Sequence, residues 1–152
     1  MIEEKIKELG FEVPEVAKPL AAYIPAKQVG NLVMTSGQVP LVKGELKYAG
    51  KVGSDLSEEE GQKAAQICAL NCIAAIKGVI GNLDKIDEVL KLTVFVNNIN
   101  GFTAQPKVAN GASELIGKIF GEKGLHTRSA VGVSGLPLNA AVEIEMIVKL
   151  KE

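Results

Sequence analysis

The stretch SEEEGQKAAQICALNCIAAIKGVIGN, residues 57–82, decides the architecture of this chain. Ser57 with Glu60 three residues on is a capping box: the serine hydroxyl accepts from the Glu60 backbone N–H, and the glutamate reaches back to the Ser57 N–H. Glu58, Glu59 and Glu60 also suit the positive end of the helix dipole. Beyond them Ala65, Cys68, Ala69, Cys72, Ile73, Ile76, Val79 and Ile80 recur at three- and four-residue intervals until Gly81-Asn82 stops the pattern. The spacing predicts a helix over Glu58 to Ile80 whose apolar stripe lies across a sheet. Cys68 and Cys72 share one helix face, a poor geometry for a mutual disulfide, and read as packed, reduced thiols.

Upstream, Ile2, Ile6 and Leu9 have helical spacing and Gly10 can cap their C-terminus, which gives a short helix read as a peripheral addition. Phe11 to Leu20, with Pro14 and Pro19, is extended connection. A strand begins at Tyr23-Ile24 and runs toward Val29, Gly30-Asn31 turns the chain, and Leu32 to Ser36 is a buried strand broken by Gly37-Gln38-Val39-Pro40. Polar Thr35, Ser36 and Gln38 therefore arrive at a strand end. Lys43 to Asp55 reads as a hairpin and connection, since Gly44, Gly50 and Gly53 lack the spacing of a phosphate-binding or dinucleotide loop.

Downstream, Asp84 to Asp87 is a corner and Val89 to Val96 a β-branched central strand. Pro106 suits the first turn of a second helix, carried by Val108, Ala112, Leu115, Ile116 and Ile119 to Phe120-Gly121. Two strands close the chain, Arg128 to Val133 and Ala141 to Leu150, around the turn Gly135-Leu136-Pro137-Leu138-Asn139. This order predicts an α+β fold in which two helices cover one face of a mixed or antiparallel sheet. With only two substantial helices, the second sheet face calls for oligomerisation to cover its apolar residues.

The chain has 152 residues, 47% of them apolar and 23% charged, which suits a single domain over residues 1–152 with a short N-terminal helical extension over about residues 1–20. Seventeen basic residues against eighteen acidic leave a formal charge of -1, and no basic run offers the footprint that a phosphate backbone requires, so nucleic acid is not expected as a partner. The N-terminus has neither a basic n-region nor an apolar core, and no apolar run approaches the ~20 residues that span a bilayer; a cytoplasmic location without membrane attachment is expected. His126 is the one histidine and is remote in sequence from the cysteines, so no metal site is expected. With no partner visible in sequence, it is left outside the mechanism.

Three stretches resemble the RidA/YjgF family, in what looks like a longer branch of it: Gly30-Asn31-Leu32-Val33-Met34-Thr35-Ser36-Gly37-Gln38-Val39-Pro40; Lys91-Leu92-Thr93-Val94-Phe95-Val96; and Thr127-Arg128-Ser129-Ala130-Val131 with Leu136-Pro137 and Val142-Glu143-Ile144-Glu145. The resemblance implies a chorismate-mutase-like fold, a homotrimer with clefts between subunits, and hydrolysis of reactive enamines and imines such as 2-aminoacrylate to a 2-keto acid and ammonia. No metal or organic cofactor is implied.

In that family's pattern Arg128 anchors a substrate carboxylate, a task its planar fork suits. Glu143 holds the attacking water and takes its proton. Glu145 projects to the same strand face, and only the resemblance selects Glu143 over it. Tyr23, Ser36, Gly37 and Asn110 match further substrate-binding positions. Ala130 stands where many members carry cysteine, which excludes a thiol nucleophile but leaves its backbone to bind substrate. Two other functions stay open: a non-catalytic binding protein or sensor for a small carboxylate or keto acid using the same cleft, and the RNA cleavage or translational inhibition attached to some relatives by name. The near-zero charge and 4% aromatic content speak against the latter.

Overall fold

The computed structural model describes residues 1–16 and 22–152. Part of the connection read over Phe11 to Leu20 therefore lies outside the described residues. The elements follow as α1 (Ile2–Glu8), β1 (Ala26–Val29), β2 (Leu32–Thr35), β3 (Leu41–Val42), β4 (Glu45–Leu46), α2 (Glu58–Ile80), β5 (Ile86–Asn97), α3 (Gln105–Phe120), β6 (Thr127–Val133) and β7 (Val142–Leu150). Strands β3 and β4 form a separate small hairpin. The main sheet has the order β1-β2-β7-β5-β6; β5 and β6 run parallel, joined by α3 as the crossover, and the other pairs are antiparallel. The fold is thus the expected α+β layer structure with a mixed sheet.

Helix α2 begins and ends where its capping residues dictate. The Ser57 hydroxyl accepts from the Glu60 N–H at 3.1 Å, Glu60 Oε1 accepts from the Ser57 N–H at 3.1 Å, and Gly81 takes φ 79° to close the helix. Its stripe buries Ala65, Cys68, Ala69, Cys72, Ile73 and Ile76 against β7 and α3. Each fully buried isoleucine contributes roughly 1.5–3 kcal/mol through removal of apolar surface from water. Both thiols are free and buried, and they donate to strand carbonyls: Cys68 Sγ to Val142 O at 3.4 Å and Cys72 Sγ to Ile144 O at 3.3 Å. Burial pushes the Cys72 thiol up to about 12 and the Cys68 thiol well above its ordinary value, so both stay protonated and inert.

Helices α2 and α3 approach closely because Gly111 has no side chain; a Cβ there would collide with the Gln62 carbonyl. The N-terminal helix is less peripheral than its sequence suggests. Ile6 is fully enclosed in the core, the Ile2 N–H donates to Asp84 Oδ1 at 2.9 Å, and Lys77 pairs with Glu3 at 2.7 Å.

At the far end of β5, Asn97 is completely buried with its polar atoms satisfied. Its Nδ2 donates to Ala140 O at 3.1 Å, and its Oδ1 accepts from Lys51 Nζ at 2.8 Å, which also donates to Ser134 O at 2.8 Å. These bonds tie down the turn over residues 134–140, where Leu138 and Asn139 take φ 60° and 59°.

Strand parity divides the sheet into two faces. Leu92, Val94 and Val96 on β5, with Val142, Ile144 and Met146 on β7, are buried beneath the helices. Lys91, Thr93 and Phe95, with Glu143, Glu145 and Ile147, point to the other face, where Met34 and Val131 remain 40% and 45% exposed. Among the described residues, no helix covers that face.

Candidate functional site

The sequence-selected residues gather in two places, on opposite faces of the sheet. Arg128 pairs with Leu92 and therefore lies on the helix-covered face; Glu143 pairs with Phe95 and lies on the open one. A single chain does not bring them together.

The arginine half-site is built on the edge strand β6 and on α3. Arg128 is half-buried, and its Nη1 donates to Asn110 Oδ1 at 2.9 Å and to Ser113 Oγ at 3.1 Å. Asn110 and Ser113 are one helical turn apart, so both project from the same side of α3 toward the strand. Ala130, two residues along β6, shares the Arg128 face and packs against the core cluster. Ser113 in turn lies 2.9 Å from His126 Nε2, and His126 Nδ1 lies 2.7 Å from the Gly124 carbonyl. Sequence reading missed Ser113 and set His126 aside. The signal for Ser113 was its spacing of three from Asn110, whereas the histidine's partners become neighbours only when the turn over Gly121–Gly124 packs on α3.

The glutamate half-site is built where β2 ends beside β7. Gln38 and Ile144 exchange backbone hydrogen bonds of 2.8 and 3.0 Å, which sets Gly37 alongside Glu143. A Cβ on Gly37 would stand 2.9 Å from the Glu143 carboxyl carbon, so glycine makes room for the carboxylate. Burial raises the pKa of Glu143, and the charge of Glu145 raises it further. Glu143 is half-buried and Glu145 exposed, which separates two residues that periodicity alone could not. Ser36 donates through Oγ to the Ile24 carbonyl at 2.6 Å and thereby fastens the segment carrying Tyr23 to the same strand end. Tyr23 itself is 54% exposed.

Beside Glu145, a shallow groove of about 180 Å³ runs across the open face between Met34, Lys91, Thr93 and Ile147. Among the described residues, no three His, Cys, Asp or Glu side chains cluster so as to hold a metal ion.

The arrangement thus offers an oriented guanidinium in one place and a carboxylate of raised proton affinity in another, the components for holding an organic anion and moving a proton. Residues 3–150 match the YjgF/chorismate mutase-like endoribonuclease family model. The chain is 42% identical over 146 residues to protein TCP17 of Trypanosoma cruzi, covering 95% of this chain and 91% of that one. It is 32% identical over 142 residues to a 2-iminobutanoate/2-iminopropanoate deaminase of Dermatophagoides farinae, covering 93% and 95%. A crystal structure of Atu1372 from Agrobacterium tumefaciens, a protein of unknown function, superposes with a TM-score of 0.93 at 44% identity over 99% of this chain and 92% of that one. Escherichia coli TdcF with bound serine shares the fold at 23% identity and a TM-score of 0.64, over 91% and 94%. The family includes reactive intermediate deaminases, and this chain belongs to it: it is a YjgF/chorismate mutase-like protein.

Proposed function

We propose that the chain hydrolyses reactive enamines and imines such as 2-aminoacrylate, without metal or organic cofactor, to a 2-keto acid and ammonia. The proposed site joins the Arg128 half-site of one copy to the Glu143 half-site of a neighbour in a homotrimer. The observation that carries this reading is the division of the two charged residues between opposite sheet faces, with the Arg128 half on an edge strand and the Glu143 half on an uncovered face. A cyclic trimer, unlike a two-fold dimer, joins two different surfaces of identical chains at every interface.

In the proposed reaction the enamine tautomerises to the imine, and Arg128 holds its carboxylate. Water adds to C2: the new C–O bond forms, the C=N π pair moves to nitrogen, and Glu143 takes the water proton. Glu143 then returns that proton to nitrogen. Glu143 next moves the hydroxyl proton to the same nitrogen as the C–N bond breaks, so that the keto group forms and the nitrogen leaves as ammonia. The raised pKa of Glu143 favours this role, because a base of higher proton affinity accepts a proton from water with less cost.

The relative named a 2-iminobutanoate/2-iminopropanoate deaminase supports this choice of substrate class. A keto-acid-binding protein or sensor would use the same cleft between copies, with Arg128 as its anchor and no turnover. RNA cleavage, which the family's name suggests, is less well supported: both nitrogens of the one histidine are engaged, by Ser113 and by the Gly124 carbonyl.

The test is release of ammonia and pyruvate from enzymatically generated 2-aminoacrylate. Wild type should exceed both buffer and Arg128→Ala. Saturable binding of 2-oxobutanoate with turnover no faster than buffer would leave the sensor reading in its place.

A further inference from the structure

We propose that Ser113 and His126 are positioning residues that determine which edge of the Arg128 guanidinium a ligand carboxylate engages. This rests on reading Arg128 as the carboxylate anchor.

Counting donors gives the first half of the case. A guanidinium carries five N–H groups, two on each terminal nitrogen and one on Nε. Nη1 donates to Asn110 Oδ1 at 2.9 Å and to Ser113 Oγ at 3.1 Å, so both of its protons are committed. An end-on fork takes one proton from each terminal nitrogen and would have to break one of those bonds. The side-on edge, formed by Nε and Nη2, keeps both. A planar keto or imino acid held by that edge has its carboxylate plane fixed relative to β6, and with it the direction in which C2 projects.

Hydrogen-bond direction gives the second half. The Gly124 carbonyl can only accept, so the His126 proton facing it at 2.7 Å belongs to Nδ1. In the neutral ring Nε2 is then an acceptor, and the Ser113 hydroxyl donates to it across 2.9 Å. With its one proton committed to His126, Ser113 presents lone pairs to Arg128. Without the histidine, the same hydroxyl is free to turn back onto the preceding helical turn, as serines in helices do.

The chain of donation runs from Arg128 to Ser113 to His126 to the Gly124 carbonyl. It ends in tightly packed backbone, because a Cβ on Gly124 would stand 2.7 Å from the Ile116 carbonyl oxygen. Orientation of the fork is therefore inherited from the packing of the turn over Gly121–Gly124 on α3.

The experiment is calorimetric titration of the full chain with 2-oxobutanoate. Ser113→Ala should weaken binding about fivefold to tenfold, the loss of one hydrogen bond to a charged group. Ser113→Thr should restore affinity to within about twofold of wild type, while Ser113→Val, of the same shape without the hydroxyl, should not. This pair isolates the hydroxyl even if alanine disturbs folding.

His126→Ala should weaken binding about threefold, and the double variant with Ser113→Ala should bind no worse than Ser113→Ala alone, because the histidine acts through the serine. Independent, multiplying losses would overturn the proposal. So would wild-type affinity in both single variants while Arg128→Ala loses binding, a result that leaves the anchor intact. Wild-type affinity in Arg128→Ala would remove the anchor itself, and this proposal with it.

Discussion

The two half-sites differ in how they are held. Arg128 has two side-chain hydrogen bonds from α3 and a supporting chain of two further bonds behind them. Glu143 is held instead by packing, with Gly37 against its carboxyl group and Glu145 repelling it along the strand. One half is oriented within a single chain; the other keeps a carboxyl group at raised pKa on a face that no helix among the described residues covers. The difference teaches that, in the proposed reaction, carboxylate binding and proton transfer would have separate structural origins and be separable by mutation.

The largest expected separation comes from Glu143→Gln, which removes the proposed base and keeps the shape. Turnover should fall about 10²- to 10⁴-fold, with 2-oxobutanoate affinity within about threefold of wild type. Arg128→Ala should do the reverse in binding, with a loss of about 30-fold or more for removal of a charge-assisted anchor. Equal losses of affinity in the two variants would break the comparison.

Gly111→Ala addresses the scaffold of one half alone. The added methyl meets the Gln62 backbone and should force α3 away from α2 at a cost of about 3 kcal/mol in urea unfolding. Since Asn110 and Ser113 flank this glycine, the surviving folded protein should bind keto acid more weakly, while the pH dependence attributable to Glu143 stays in place.

Smaller effects concern Glu143 titration. Its pKa is raised in the fold, so the folded state favours the protonated form; this contribution to stability is fully present below the unfolded pKa and is lost as pH rises through the folded one. Glu143→Gln should therefore stabilise the protein near neutral pH and lose that advantage in acid, as read by thermal unfolding across pH. Removing the neighbouring charge with Glu145→Gln should lower the Glu143 pKa and move the acid limb of the rate profile to lower pH, by less than about one unit.

Helix boundaries were the most legible part of the sequence. Helix α2 spans Glu58–Ile80 as its capping box and glycine stop require, and α3 begins one residue before Pro106. Strand β5 is longer than the Val89 to Val96 read from β-branched residues. Ile86 and Glu88 pair with Leu150 and Lys149 through a register shift that composition does not announce. The alternation of β7 assigned Glu143 and Glu145 to one face, but their unequal burial depends on the neighbouring β2 end and was not readable. Ser113 and the Lys51-Asn97 network were missed, and His126 was set aside, for a common reason: the Ser113–Arg128, Ser113–His126 and Lys51–Asn97 contacts join residues distant in sequence, brought together by packing.

Subunit complementation tests the shared site most directly. Arg128→Ala and Glu143→Gln chains are unfolded together, refolded as a mixture and assayed for keto-acid release from 2-aminoacrylate. If each site takes its arginine from one copy and its glutamate from another, random assembly of an equal mixture should restore about a quarter of the wild-type sites, although each variant alone is inactive. A mixture as inactive as its components, beside active wild type refolded in the same way, would contradict a site built across copies.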